Sequence, residues 1–211
     1  MKYFDFNGKE FLEKELRNYK DYHKAELNEN GSFRLIETYQ NSELDSLNAF
    51  IESELETKLF FENYPNLEII EFCQLQERKG NYCKFFNFYI NKHNIKSGGS
   101  VIVIENGNLL PIYENNNEDN DRTNKSLWKY YYFYDLNVEF EFEYDSNGEF
   151  KQLSVYDVNM ICDSDNTSIY PNNVGIGKND FNFNWKGMEY YKNSEPIIPN
   201  GEITTHNTVY N

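Results

Sequence analysis

From Trp128 to Tyr144 apolar and polar positions alternate without a miss, and a chain carrying such a run is committed to a β-rich fold. Trp128, Tyr130, Tyr132, Tyr134, Leu136, Val138, Phe140, Phe142 and Tyr144 occupy one side of the pattern; Lys129, Tyr131, Phe133, Asp135, Asn137, Glu139, Glu141 and Glu143 occupy the other. At about 3.3 Å per residue a straight strand over this stretch would run roughly 56 Å, several times the usual length, so a bend or bulge near Asp135 to Asn137 is expected. The reading buries the aromatic side and leaves Glu139, Glu141 and Glu143 in a row on the opposite face.

The pattern before this stretch is mixed. Tyr3 to Phe6 suits a short strand. Asn7 followed by Glu10 resembles a capping box, and Phe11, Leu12, Leu16 and Tyr19 recur at helical spacing, which predicts a helix over about 8–19. Residues 22–40 read as a hairpin turning at Asn30-Gly31, with Lys24 facing Glu37 and Tyr22 facing Tyr39; extension of the first helix to Leu27 is the alternative. Ser42 then stands as the cap of a second helix with Leu44, Leu47, Ile51 and Leu55 along its apolar stripe and Phe50 and Leu59 widening it, ending before Tyr64-Pro65.

From Leu67 onward strand follows strand, with turns at 78–81, at Asn106-Gly107 and at Asn147-Gly148. Pro111 marks an edge strand. The last turn sets Phe142 opposite Leu153, Phe140 opposite Val155, Glu143 opposite Gln152, Glu141 opposite Ser154 and Glu139 opposite Tyr156, so no lysine faces the acidic row. Residues 113–125 read as a polar loop containing Glu114, Glu118, Asp119 and Asp121; residues 181–191 offer one last strand, and 193–211 an extended or frayed tail. The expectation is an α+β protein: an antiparallel meander sheet of about five to seven strands with two N-terminal helices packed on one face. It forms a single domain over 1–211, helical to about 64, β-rich over about 65–192, with a tail from about 193.

The chain carries 35 acidic against 20 basic residues, a formal charge of -15, which repels phosphate backbones and attracts basic partners. Nucleic acid is therefore disfavoured as a partner. Three cysteines, Cys73, Cys83 and Cys162, make no CxxC or zinc spacing, and an odd number without a disulfide framework suits a reducing compartment. No apolar leader or membrane-length run occurs, so the expected location is cytoplasmic. Histidines are scattered at His23, His93 and His206, and no HExxH, GxSxG, Walker or GxGxxG motif is present. Asp163-Ser164-Asp165-Asn166 resembles the opening of a calcium loop, but Ser168 and Val174 stand where that loop needs Gly and Glu. No metal, cofactor or catalytic set is expected.

The acidic character, the Tyr, Asn and Glu content, the Asn-Gly turns of Asn28-Glu29-Asn30-Gly31 and Asp145-Ser146-Asn147-Gly148, and the absence of a catalytic set together resemble the immunity proteins of bacterial contact-dependent and type VI toxin systems. The resemblance covers the whole chain in type. It implies a non-catalytic protein that neutralises one cognate toxin, a basic one on charge grounds, through Glu139, Glu141 and Glu143 and the loop acids Glu114, Glu118, Asp119 and Asp121. Two further readings compete with it. One is a small-molecule or carbohydrate binding module using Tyr131, Phe133, Trp185, Tyr190 and Tyr191 as stacking platforms. The other is an enzyme with an unfamiliar carboxylate site.

Overall fold

The computed structural model describes residues 1–106, 108–116, 126–133, 138–157, 167–175, 183–201 and 203. Two compact units form, Met1–Pro111 and Ile112–Asn211. Thirteen strands lie among the described residues, so the protein is mostly β, and the expected α+β class with five to seven strands and two N-terminal helices is overturned.

In the first unit the strands are β1 (Lys2–Phe4), β2 (Glu10–Phe11), β3 (Tyr22–Leu27), β4 (Phe33–Gln40), β5 (Glu43–Ile51), β6 (Ile69–Lys79), β7 (Tyr82–Asn91) and β8 (Lys96–Glu105). They run β8-β7-β6-β5-β4-β3-β1-β2 across the sheet. Neighbouring strands in this unit pair antiparallel except β5 with β6, which is parallel, so the unit is not a simple meander. A parallel pair needs a crossover, and it contains α1 (Thr57–Asn63), introduced by a 3-10 turn over Glu54–Glu56.

Both expected helices fail for local reasons. Over 8–19 the chain instead forms β2 and a 3-10 segment, Glu13–Asn18. Ser42 is not a helix cap: Asn41 and Ser42 both have positive φ, 51° and 67°, the requirement of a tight two-residue hairpin turn, and the chain reverses from β4 into β5. β5 is buried on both faces only over 49–51, and a bulge at Asp45 sets Leu44 and Leu47 three residues apart on one face, a spacing that imitates a helical stripe. Leu47, Ala49 and Ile51 enter one core with Phe72 and Phe88, while Phe50 enters the other with Phe33, Cys73 and Phe85. Leu55 and Leu59, counted in the same stripe, are 89% and 58% exposed.

The hairpin at residues 28–32 keeps the expected register: Lys24 pairs with Glu37 at 2.6 Å, and the rings of Tyr22 and Tyr39 stack at 4.7 Å. The turn itself differs. Only Gly31 has positive φ, its N–H donates to the Asn28 carbonyl, and a one-residue shift follows. The turn at 145–149 is built the same way, with Gly148 at φ 82°, its N–H on the Asp145 carbonyl and a shift beside Tyr144. In each a glycine bulge absorbs one residue and restores the register that a two-residue turn would give.

The second unit holds β9 (Pro111–Asn116), β10 (Ser126–Phe133), β11 (Val138–Tyr144), β12 (Phe150–Asp157) and β13 (Thr167–Ile169), each antiparallel to the next. Tyr113 to Asn116, expected in a loop, belong to β9, and Pro111 is its first residue, a position that needs no N–H for the ladder. The long alternating run is not one bent strand but the hairpin β10–β11; the expected bend at 135–137 lies outside the described residues. Residues 183–191, expected as a strand, form turns and a 3-10 segment, Glu189–Tyr191. Nor is the tail frayed over its described part: Ser194 and Ile198 are buried, and the Ser194 N–H donates to the Gly148 carbonyl.

Candidate functional site

The hairpin changes which side chains face inward. Tyr131 pairs with Phe140 and Lys129 with Phe142, so odd positions of β10 share a face with even positions of β11. Lys129, Tyr131, Phe140, Phe142, Tyr144, Leu153, Val155 and Ile169 turn to a core closed by Phe183, Met188 and Tyr191. The stacking platform expected from Tyr131, Trp185, Tyr190 and Tyr191 is therefore core: Tyr191 stacks on Phe142 at 4.6 Å, and Trp185 packs edge-on against Phe183 at 4.9 Å. The Phe133 side chain lies outside the described part.

Lys129, read from the sequence as an outward polar position, has no exposed surface. Its ammonium donates to the carbonyls of Tyr190 at 2.6 Å, Asn193 at 2.8 Å and Pro196 at 3.1 Å, and lies 3.8 Å from the centre of the Tyr190 ring. Three acceptors match three N–H groups, and the ring face favours the positive charge. Burial opposes that charge and pushes the lysine down to about 7, against a pull upward from Glu195. The Tyr144 hydroxyl donates to the Tyr191 carbonyl at 2.7 Å, so two inward side chains bind the backbone of 190–196 to the sheet.

The opposite face of the same sheet collects the acids. Trp128 stands between Glu114 on β9 and Glu143 on β11, with Gln152 next in the row. Tyr130 lies beside Glu141, followed by Ser154 and Ser168; Tyr132 lies beside Glu139, followed by Tyr156. Tyr130 and Tyr132 stack at 6.2 Å, and Trp128, Tyr130, Tyr132, Glu114, Glu141 and Glu143 are all half-buried. The aromatic side of β10, expected in the core, is thus interleaved with carboxylates on the outer face.

Glu141 lies beside Tyr130 on this face. Burial raises its carboxyl above the ordinary range, and the charges of Glu143 and Glu114 raise it further. As expected, no lysine stands directly opposite the row, but Glu143 is paired at 2.5 Å with Lys151, the extra residue of the bulge beside Tyr144. Of the other expected site residues, Glu139 keeps its register position but its side chain lies outside the described part, and Glu118, Asp119 and Asp121 lie outside the described residues altogether, as does Asp163 to Asn166.

Sequence reasoning missed Trp128, Tyr130 and Tyr132 as members of this face. The signal available was a lysine in phase with Tyr131 in a run otherwise rich in apolar side chains. Among the described residues, no group of three or more His, Cys, Asp or Glu could hold a metal ion, and no helix is long and apolar enough to cross a membrane. No protein-family model, curated protein or solved structure matches the chain.

Proposed function

We propose that this is a non-catalytic immunity-type protein that binds a basic toxin through the outer face of β9, β10 and β11. The observation that carries the reading is Glu141: a half-buried carboxylate raised by burial and by two neighbouring acids, set among Trp128, Tyr130 and Tyr132. A cation arriving at this place relieves the repulsion between Glu114, Glu141 and Glu143. The flanking aromatics supply the rigid apolar contact that binding surfaces concentrate. The charge of -15 steers a basic protein toward the face and turns nucleic acid away. On this reading the protein works in the cytoplasm of the cell that must be protected.

The test is rescue of growth. The product of the gene adjacent to this one is expressed in a susceptible host with and without this chain. Relief of growth arrest, lost on Glu141→Lys with the fold intact by circular dichroism, supports the reading. Growth arrest untouched by the wild-type chain, or rescue indifferent to Glu141→Lys, overturns it.

A further inference from the structure

Beyond Tyr191 the chain of the second unit runs on as a thinly held segment. Lys192, Asn193, Glu195 and Pro196 are exposed, and over 192–198 only Ser194 and Ile198 are buried. The segment joins the turn at 145–149, where the Ser194 N–H donates to the Gly148 carbonyl and Asn193 bridges to Glu149. Few buried side chains and an exposed backbone mark a segment that opens on its own. Its near end is fixed, because Tyr191 is buried and stacked on Phe142.

Lys129 reaches into this segment from β10. Its ammonium, without exposed surface, donates to the carbonyls of Asn193 and Pro196 within the segment and of Tyr190 at the fixed end. All three acceptors are neutral. Among the described residues no carboxylate pairs with this lysine: Glu195 is exposed, accepts from the Ile197 N–H at 3.1 Å and acts on Lys129 only through its field. The other ionisable groups around the ammonium are phenols. Tyr190 lies under it, the Tyr144 ring on β11 is centred 5.7 Å away, and Tyr113 on β9 is its cross-strand partner. Burial pushes Tyr113 up to about 12 and raises Tyr144 above its ordinary 10, so both hold their protons while Lys129 changes charge.

Opening is therefore coupled to a proton. With the segment in place the ammonium is cut off from water and from any carboxylate contact; with the segment lifted, water solvates it and the charged form is restored. We propose that residues 192–198 are a strap fastened at Lys129, and that the strap lifts by taking up a proton there, so that falling pH loosens it and rising pH tightens it. The neutral amine keeps two N–H donors, enough for Asn193 and Pro196, so the strap stays fastened when the charge is lost. Burial holds the closed group down to about 7 against an ordinary 10.5, so the coupling acts between those values and levels off below them. Lys129 points to the inner side of the sheet, and the inference does not rest on the outer face as a binding surface.

The experiment follows amide hydrogen exchange in the full chain, isotopically labelled, from pH 6 to pH 9, with each rate divided by its intrinsic value. The Ser194 N–H reports the strap, and the Phe142 N–H, on a strand paired at both sides, reports the sheet. Ser194 is expected to be less protected than Phe142 throughout, and its protection to fall roughly tenfold per unit as pH drops from 9 to 7 before levelling off. Lys129→Met should make the Ser194 profile flat. Equal protection at the two amides, a flat wild-type profile, or a slope that survives Lys129→Met overturns the proposal. Should the variant not fold, the side-chain carbon resonances of Lys129 in the wild-type chain decide. A midpoint well below that of the exposed lysines supports the strap, and titration together with them overturns it.

Discussion

Lys129 Nζ lies 3.8 Å from the centre of the Tyr190 ring and donates at 2.6 Å to the carbonyl of that same residue. One buried ammonium thereby holds both the side chain and the backbone of a segment sixty-one positions away in sequence, with Asn193 and Pro196 completing its hydrogen bonds. Lys129→Met keeps the unbranched apolar stem, one atom shorter, and removes every donor, leaving three carbonyls without that partner. The expected loss is about 1 to 3 kcal/mol, the range for leaving buried neutral acceptors without their donor. Urea unfolding measures it, and limited proteolysis should cut first near 190–196.

Protonation of the same lysine gives a pH signature. Burial holds the folded group down to about 7 against an ordinary 10.5, so between those values the unfolded chain binds the extra proton. Stability then rises with pH across that window and is lower below it. Wild-type midpoints measured from pH 6 to pH 10 should climb, and Lys129→Met should flatten the slope; an equal climb in the variant would assign it to another group.

What the sequence could tell was decided by distance along the chain. Register in the two glycine-bulged hairpins was legible because the turn and the cross-strand pairs, Lys24 with Glu37 and Phe142 with Leu153, lie within a few residues of each other. The role of β5 was not, because the bulge at Asp45 breaks its period of two and Ser42 looks like a helix cap whenever a helix is expected. The outer face was half legible. The acidic row can be read from alternation alone, whereas the switch of parity that brings Trp128 and Tyr130 beside it depends on a reversal between Phe133 and Val138, where alternation never breaks.

The corrected β5 makes a direct test. Leu47 is 1% exposed and lies in the core with Phe72 and Phe88, so Leu47→Ala should cost about 2 to 5 kcal/mol through the cavity it leaves. Leu55, 89% exposed, should tolerate alanine within about 0.5 kcal/mol. A helix with Leu47 and Leu55 on one stripe would lose comparable stability at both, and a denaturation series on the two variants separates the cases.

The two similar turns should respond differently to the same substitution. Gly31 and Gly148 share φ near 81° and 82°, so alanine is strained at both, by about 1 to 2 kcal/mol. A Cβ at Gly31 meets nothing within 4 Å, but at Gly148 it would sit 2.2 Å from Ser194 Oγ. Gly148→Ala must also push away the segment that donates to its carbonyl. The excess cost at 148 should shrink when Ser194→Ala is added, a coupling that a double-mutant cycle on thermal unfolding reads directly.

Glu141 joins stability and binding in one residue. Its folded carboxyl is raised above the ordinary 4.5, so just above that value the folded chain binds more protons than the unfolded chain, and stability falls as pH rises through the interval. The deficit persists at neutral pH. Glu141→Gln removes it: the variant should be at least as stable as wild type at pH 7 and show a flatter profile just above the ordinary 4.5. On the proposed reading, the same change should weaken association with a basic protein partner by on the order of 1 to 3 kcal/mol, since a desolvated charge contact is lost. Glu143→Gln is the control, because its pair with Lys151 is partly exposed and such pairs contribute about 0 to 1 kcal/mol. Calorimetric titration at two salt concentrations should show the Glu141 effect in affinity and the overall charge in salt dependence. A Glu141→Gln protein that unfolds more easily than wild type at pH 7 would mean that the carboxylate is satisfied within the fold, and the outer face would then have no charge waiting for a partner.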